Sequence, residues 1–196
     1  MLLNAVEKAF MNNPIREAIQ RRFEARRLLA MGGRLGGGRA LEIGCGRGVG
    51  VEIILDAFGA ERVDGFDLDP DMVARARRRL APRGDRVRLW TGDAERIDAP
   101  DGAYDAVFDF GIVHHIPDWR RALAEVHRVL RPGGRFYGEE VLAHFIAHPI
   151  WRRILDHPQH DRFDAPTFAR ALGDAGFVVR AERRLGRDFA WFVADR

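Results

Sequence analysis

Residues 40–50 read Ala40-Leu41-Glu42-Ile43-Gly44-Cys45-Gly46-Arg47-Gly48-Val49-Gly50. A short apolar run passes into a glycine-rich turn and then a helical pattern, the order expected where a parallel strand hands over to a helix. Glycines there let the backbone approach a ligand closely, and the first turn of the following helix offers N–H groups that lack intrahelical partners. The spacing is not the dinucleotide fingerprint. G-x-G-x-x-G counted from Gly44 needs a glycine where Val49 stands, and counted from Gly46 it needs one where Val51 stands. No Gly-Lys-Ser/Thr follows, which excludes a P-loop. What remains is a carboxylate, Glu42, two positions before the alternating glycines Gly44, Gly46 and Gly48. A carboxylate there repels a pyrophosphate and suits a ligand carrying positive charge, such as an ammonium group.

Outward from this turn, apolar runs alternate with helical patterns, which predicts a mostly parallel sheet covered on both faces. Strands are expected at 39–43, 62–67, 86–91, 104–110 and 134–140, with helices near 48–58, 70–80 and 118–130. Trp119, Leu123, Val126 and Leu130 form one stripe of the last helix, and Pro132-Gly133-Gly134 is expected to stop it. Residues 142–155 read as helical. A helix from Pro166 to Ala175 is capped by Asp164, and Phe177–Leu185 and Phe189–Ala194 flank a short turn as a hairpin. Residues 1–31 read as helical with a break at Asn12-Asn13-Pro14, and glycines 32–38 link them to the body. Arg16, Arg21, Arg22, Arg26 and Arg27, and the run Arg75 and Arg77–Arg79, read as solvated helix faces.

Two more acids fall at strand ends: Asp67, 23 residues after Gly44, and Asp93. The first is placed to accept from the two hydroxyls of a ribose, the second from an adenine amino group. Either alone reads as a helix cap. Three acids at three successive strand ends mark the edge on which α/β sheets bind ligands.

Composition removes several chemistries. The 196 residues carry a net charge of +3, are 46% hydrophobic and 31% charged, and fit one soluble domain. There is no serine, which excludes a serine nucleophile. Lys8 is the only lysine and Cys45 the only cysteine, so a Schiff base and an internal disulfide are not expected. The beginning of the chain shows no apolar run typical of a secretory leader and there is no 18-residue apolar stretch, so a cytoplasmic monomer or homodimer without a membrane span is expected.

The stretches LEIGCGRG (41–48), GFDLDPDMV (65–73), GDAERI (92–97), YDAVFDFGIVHHI (104–116) and LRPGGRFY (130–137) together resemble the class I S-adenosylmethionine-dependent methyltransferases, of the small-molecule type. LGDAGF (172–177) is similar to a late helix-to-strand turn of the same family. The resemblance implies an α/β, Rossmann-like three-layer sandwich whose seven-stranded, mostly parallel sheet has an antiparallel last strand. It implies one domain over 1–196: a helical lid and linker (1–36), a cofactor-binding core (39–140), a substrate-side insertion (141–165) and a C-terminal helix and hairpin (166–196). S-adenosylmethionine is the implied cofactor. Glu42 with Gly44, Cys45 and Gly46 would hold its methionine part, Asp67 its ribose with Leu68 beside the adenine, and Asp93 and Ala94 the adenine edge. Asp109 and Phe110 would lie toward the methionine side and the substrate.

A sulfonium methyl is already electrophilic, so alignment is the main task, and a base is needed only for an acceptor that carries a proton. His115, Glu139 and Glu140 are the candidates; the two glutamates alternate across a strand, so at most one should reach the pocket. In the resembling family a histidine at the position of His114 or His115 often orders the loop. His144, His148, His157 and His160 lack a third ligand at fixed spacing, and no metal is expected. The only cysteine sits in the glycine loop, which argues against pyrimidine C5 methylation. Asp109-Phe110-Gly111-Ile112 is not the Asn/Asp-Pro-Pro-aromatic motif that families methylating base amines use. A small, partly apolar acceptor is therefore expected rather than nucleic acid, with Phe10, Phe23, Phe145, Ile146 and Trp151 as candidate lining. An RNA or protein methyltransferase using the arginine-rich faces, and a noncatalytic cofactor-binding or scaffold protein, stay open as alternatives.

Overall fold

The computed structural model describes residues 13–148 and 161–196. Seven strands, β1 (Arg39–Ile43), β2 (Arg62–Asp67), β3 (Val87–Thr91), β4 (Tyr104–Phe110), β5 (Leu130–Val141), β6 (Val178–Leu185) and β7 (Phe189–Asp195), form one sheet in the order β3-β2-β1-β4-β5-β7-β6. β1 to β5 pair in parallel, and β7 runs antiparallel to both β5 and β6. The seven-stranded sheet with its reversed last strand is the architecture expected from the sequence.

The first helix, α1, runs through Pro14–Ile19, a π-helical turn at Gln20–Glu24 and Ala25–Gly32. Asn13 caps it, its side chain accepting from the Arg16 N–H at 2.8 Å, and Pro14 occupies the first turn. α2 is Val49–Ile53 continued by a π-helical turn at Ile54–Phe58; α3 is Pro70–Leu80, α4 Trp119–Val129, α5 Ala143–Ile146 and α6 Ala165–Asp174. Asp69, Asp118 and Asp164 cap α3, α4 and α6.

Both faces of β1 are buried because each meets its own core. Leu41 and Ile43 join Val107, Leu123, Val126, Phe136 and Phe168 beneath α4 and α6. Ala40 joins Val51, Ile54, Phe58, Phe108 and Tyr137 beneath α1 and α2. Burial of that kind stabilises by about 1.5–3 kcal/mol for each large side chain. The reversal of strand order between β1 and β4 opens a crevice at their carboxyl ends, where doubly wound sheets take ligands.

Two expectations need correction and two others lie partly outside the described residues. The 118–130 helix ends at Val129, before Pro132-Gly133-Gly134, because β5 begins at Leu130, which already pairs with Tyr104. Of the 142–155 helix only α5 lies among the described residues, and 149–160 fall outside them, as does the 1–12 part of the N-terminal helix. Arg21 and Arg79 are not simply solvated. Glu17 of α1 takes Arg21 at 3.1 Å, Arg47 at 2.9 Å and Arg79 at 2.6 Å, and Glu52 of α2 takes Arg79 at 2.9 Å and also Arg21. These two carboxylates draw the arginines inward and sew α1 to the glycine loop and α3. No helix among the described residues is long and apolar enough to cross a membrane.

Candidate functional site

A cavity of about 300 Å³ lies at the carboxyl ends of β1, β2, β3 and β4. Its floor is the glycine turn. Gly44 and Gly46 have φ of +67° and +50°, a backbone region open to glycine with little strain. The Cys45 N–H bonds Phe66 O at 2.8 Å, and the Gly46 N–H donates to Asp67 Oδ2 at 2.8 Å, so β2 holds the turn from below. Asp67 Oδ1 accepts from the Asp69 N–H at 2.9 Å, which fixes its carboxylate at the start of α3.

Glu42 is 2% exposed, yet it lines the cavity and its Oε2 has no hydrogen-bond partner among the described residues. Burial, reinforced by the nearby carboxylates Asp67 and Asp109, pushes its carboxyl well above the usual range. A buried, unpartnered carboxyl oxygen in a cavity wall is a place for a cation, and an ammonium group would supply both the missing bonds and the missing charge. Cys45 is buried in the loop, and burial raises its thiol well above its ordinary value, which makes it a poor nucleophile.

The cavity brings together Glu42, Gly44, Cys45, Gly46, Asp67, Leu68, Asp93, Ala94, Phe110 and His115. Leu68, 41% exposed, stands at the rim with an apolar face open. Three other named residues are not in its wall. Asp109 points to the opposite face of β4 from Phe110, is fully buried, and accepts from the Ile112 N–H at 2.8 Å. Glu140 is equally buried; its Oε1 accepts from the Val113 N–H at 2.9 Å, and its Oε2 meets the His114 N–H at 3.2 Å and His114 Nδ1 at 2.7 Å. Glu139, on the other face, lies under α1, where burial and the Glu24 carboxyl raise it well above the usual range. Alternation along β4 and β5 thus turns Asp109 and Glu140 into braces of the 110–116 loop, and His114 with them. His115 alone of the three catalytic candidates reaches the cavity.

Residues with no part in the site as read from the sequence complete the wall, among them Arg16, which was expected on a solvated face but is turned inward to Glu24. Arg16 and Gln20 roof it from α1, and Met72, Ile112, Ile116 and Pro117 add apolar surface. The four-residue spacing of Arg16, Gln20 and Glu24 on one helix was the available signal. Phe23 is not lining: it packs edge-on against Trp191 with centroids 5.9 Å apart, and Arg27 stacks on both. Phe145 packs against Phe189 and Ile146 lines a separate, smaller cavity. Phe10, Trp151, His157 and His160 lie outside the described residues. His144 pairs with Asp188 at 2.7 Å, and among the described residues no three acidic, histidine or cysteine side chains gather as metal ligands.

The residues present fit S-adenosylmethionine: an orphaned carboxyl oxygen for its ammonium group, a glycine floor for its methionine backbone, and Asp67 and Asp93 at successive strand ends for ribose and adenine. A family model described as a methyltransferase domain matches residues 40–134. The chain is 34% identical over 149 residues, 76% of its length and 47% of the relative's, to a fatty-acid O-methyltransferase of Mycolicibacterium smegmatis. It is 39% identical over 103 residues, 52% of its length and 37% of the relative's, to a phthiotriol/phenolphthiotriol dimycocerosates methyltransferase of Mycobacterium tuberculosis. It therefore spans about half the length, or less, of these curated relatives. Among solved structures, a SAM-dependent methyltransferase from Aquifex aeolicus shares the fold with a TM-score of 0.74 over 98% of both chains at 17% identity. With the matched segment running through all four strand ends that build the cavity, the chain belongs to the class I S-adenosylmethionine-dependent methyltransferases.

Proposed function

We propose that this chain binds S-adenosylmethionine in the 300 Å³ cavity and transfers its methyl group to a small, largely apolar acceptor. The observation that carries this reading is Glu42, a buried carboxyl with an unpartnered oxygen facing the same cavity as Asp67 and Asp93. The apolar wall of Phe110, Ile112, Ile116 and Pro117 supports the choice of acceptor, as do relatives named for fatty acids and lipids.

When bound, the cofactor supplies an electrophilic sulfonium methyl; the chain's own residues do the rest by placement. Glu42 binds the ammonium end, Asp67 the ribose hydroxyls, and Asp93 with Ala94 the adenine edge. Phe110 and Ile112 exclude water beside the reacting end, and holding donor and acceptor in line is worth roughly 7–11 kcal/mol of the barrier. His115 is placed to accept a proton from a hydroxyl acceptor; a carboxylate acceptor is already ionised at neutral pH and needs none.

Calorimetric titration with S-adenosylhomocysteine, S-adenosylmethionine and NADH tests the cofactor. Both sulfur nucleotides should bind and NADH should not, and Asp67→Ala should weaken them about 10- to 100-fold by removing charge-assisted bonds to the ribose. Transfer of radiolabelled methyl from S-adenosylmethionine in a cell extract tests the acceptor. Label is expected in the organic-solvent fraction. Label retained with RNA or protein would support the arginine-face alternative, and no binding by folded protein would leave the scaffold reading.

Glu42 also makes a pH prediction. Burial and the neighbouring carboxylates make the ligand-free Glu42 carboxyl hold its proton more tightly than an exposed one, whereas a bound ammonium favours the ionised form. Binding should therefore be linked to proton release: affinity should rise with pH through the range in which the ligand-free carboxyl titrates, and there the binding enthalpy should differ between phosphate and Tris in proportion to their ionisation enthalpies. Glu42→Gln should abolish both dependences. Identical enthalpies in the two buffers would show that Glu42 does not ionise on binding.

A further inference from the structure

The N-terminal part of α1, up to Glu24, is laid on the body with its polarity inverted, whereas Ala25 and Leu28 beyond it are buried in the core. Ile15 and Ile19 face outward with exposures of 72% and 45%, while Arg16, Gln20 and Glu24 turn inward. A helix packed for stability buries its apolar stripe. Here the inward face is polar, so its task is to meet something polar beneath it.

The local geometry serves the same end. Eight residues overshoot two α-helical turns by nearly one residue, which would swing Glu24 away from Arg16. The π-helical turn at Gln20–Glu24 adds one residue and brings Glu24 back under Arg16, where its Oε2 takes Arg16 Nη1 at 2.6 Å. Glu24 is itself 7% exposed and stands against Glu139 of β5. The guanidinium is thus aimed from behind by a buried carboxylate, with one of its five N–H donors used for that purpose.

Arg16 and Gln20 roof the cavity that has Glu42 in its floor. The other guanidinium in the wall, Arg47, is drawn away to Glu17 at 2.9 Å and to Asn13 O at 3.4 Å. The cavity therefore offers the acidic group of Glu42, which an ammonium would ionise, and a cationic fork on Arg16, the two poles that a zwitterionic amino-acid group requires.

We propose that Arg16 binds the carboxylate of the cofactor's amino-acid end, so that α1 is part of the cofactor site as well as its roof. This rests on the cofactor reading above. It also makes cofactor binding and the docking of α1 one event: Glu24 holds Arg16, and Arg16 holds the ligand. The alternative source of a carboxylate, an acidic acceptor, is separated from it by the test.

The test compares S-adenosylhomocysteine with S-adenosyl-3-thiopropylamine, which keeps the ammonium and lacks the carboxylate. The full chain should bind S-adenosylhomocysteine at least tenfold more tightly than the amine. Arg16→Gln should weaken S-adenosylhomocysteine about 10- to 100-fold and leave the amine within twofold, with Arg16→Lys recovering part of the loss. Glu42→Gln should weaken both ligands. Equal weakening of both by Arg16→Gln, at an unchanged melting temperature, would overturn the proposal by assigning Arg16 to the roof alone. So would no change for either ligand, or an effect confined to the KM of an acidic acceptor. Failure of the wild-type chain to bind either nucleotide would overturn the cofactor reading itself.

Discussion

Gly50→Ala should abolish detectable binding of S-adenosylhomocysteine, a loss of at least about 100-fold, although alanine is the better helix former by about 1 kcal/mol. Gly50 lies in the first turn of α2 with ordinary helical backbone, so the effect is steric and owes nothing to φ. A Cβ there would land on Glu42 Oε1, 2.5 Å from Glu42 Cδ and 2.8 Å from Phe110 Cδ2. Phe110 has little room to give, being fixed in β4 with its ring stacked on Phe108 at 6.0 Å. Glu42 must yield, and the open direction is the cavity, where its carboxylate would occupy the place of the ammonium group it is meant to bind. Overpacking of this kind costs about 1–3 kcal/mol, so the melting temperature should fall by only a few degrees while binding disappears. Calorimetry beside a thermal melt checks both. Retained binding, or unfolding at room temperature, would contradict the steric account.

The pairing of Gly50 with Glu42 is the kind of contact that one strand-turn-helix stretch cannot display. The alternation of apolar runs, the glycine turn and the acids at strand ends were legible because each is a local pattern with its own period. Glu42, Asp67 and Asp93 meet at one cavity because parallel strands end on one edge, which topology guarantees. Side-chain direction was less accessible. Asp109, Glu139 and Glu140 lie close in register at the ends of β4 and β5, and a one-residue change of phase moves each from cavity to brace. The roof was legible least of all. Arg16, Gln20 and Glu24 look like the solvated side of an amphipathic helix, and only the outward position of Ile15 and Ile19 shows which side faces the body. Arg21 and Arg79 were hidden for the same reason: each meets Glu52 of α2, and Arg79 of α3 also reaches Glu17 of α1, partners that lie on other elements.

Glu140→Ala should be the most destabilising of the single changes considered, and its cost should depend on pH. The wild-type side chain satisfies the Val113 and His114 N–H groups and His114 Nδ1 while fully buried. Alanine leaves two backbone donors without partners at about 1–3 kcal/mol each, so a loss of about 3–5 kcal/mol is expected at pH 5. For a chain of this size that lowers the melting temperature by about 6–20 °C. Burial pushes the Glu140 carboxyl up to about 7, against the opposing effect of those same donors. Its folded value therefore lies above its unfolded value, the native state holds the proton more tightly, and wild-type stability falls as pH rises from about 4.5 to 7. The fall is roughly 3 kcal/mol across that window, at about 1.4 kcal/mol per unit. Alanine removes this slope, so the deficit of the variant should shrink by a similar amount between pH 5 and pH 8. Asp109, buried and raised in the same region, gives a slope of the same sign in both proteins. Glu140→Gln keeps the shape and one acceptor and should show a smaller deficit with the same flattened profile. Denaturant melts of the three proteins at pH 5, 6.5 and 8 decide the matter. A deficit below about 1 kcal/mol at pH 5, or one that grows with pH, would mean that Glu140 does not brace the loop beneath His115 in the manner its hydrogen bonds indicate.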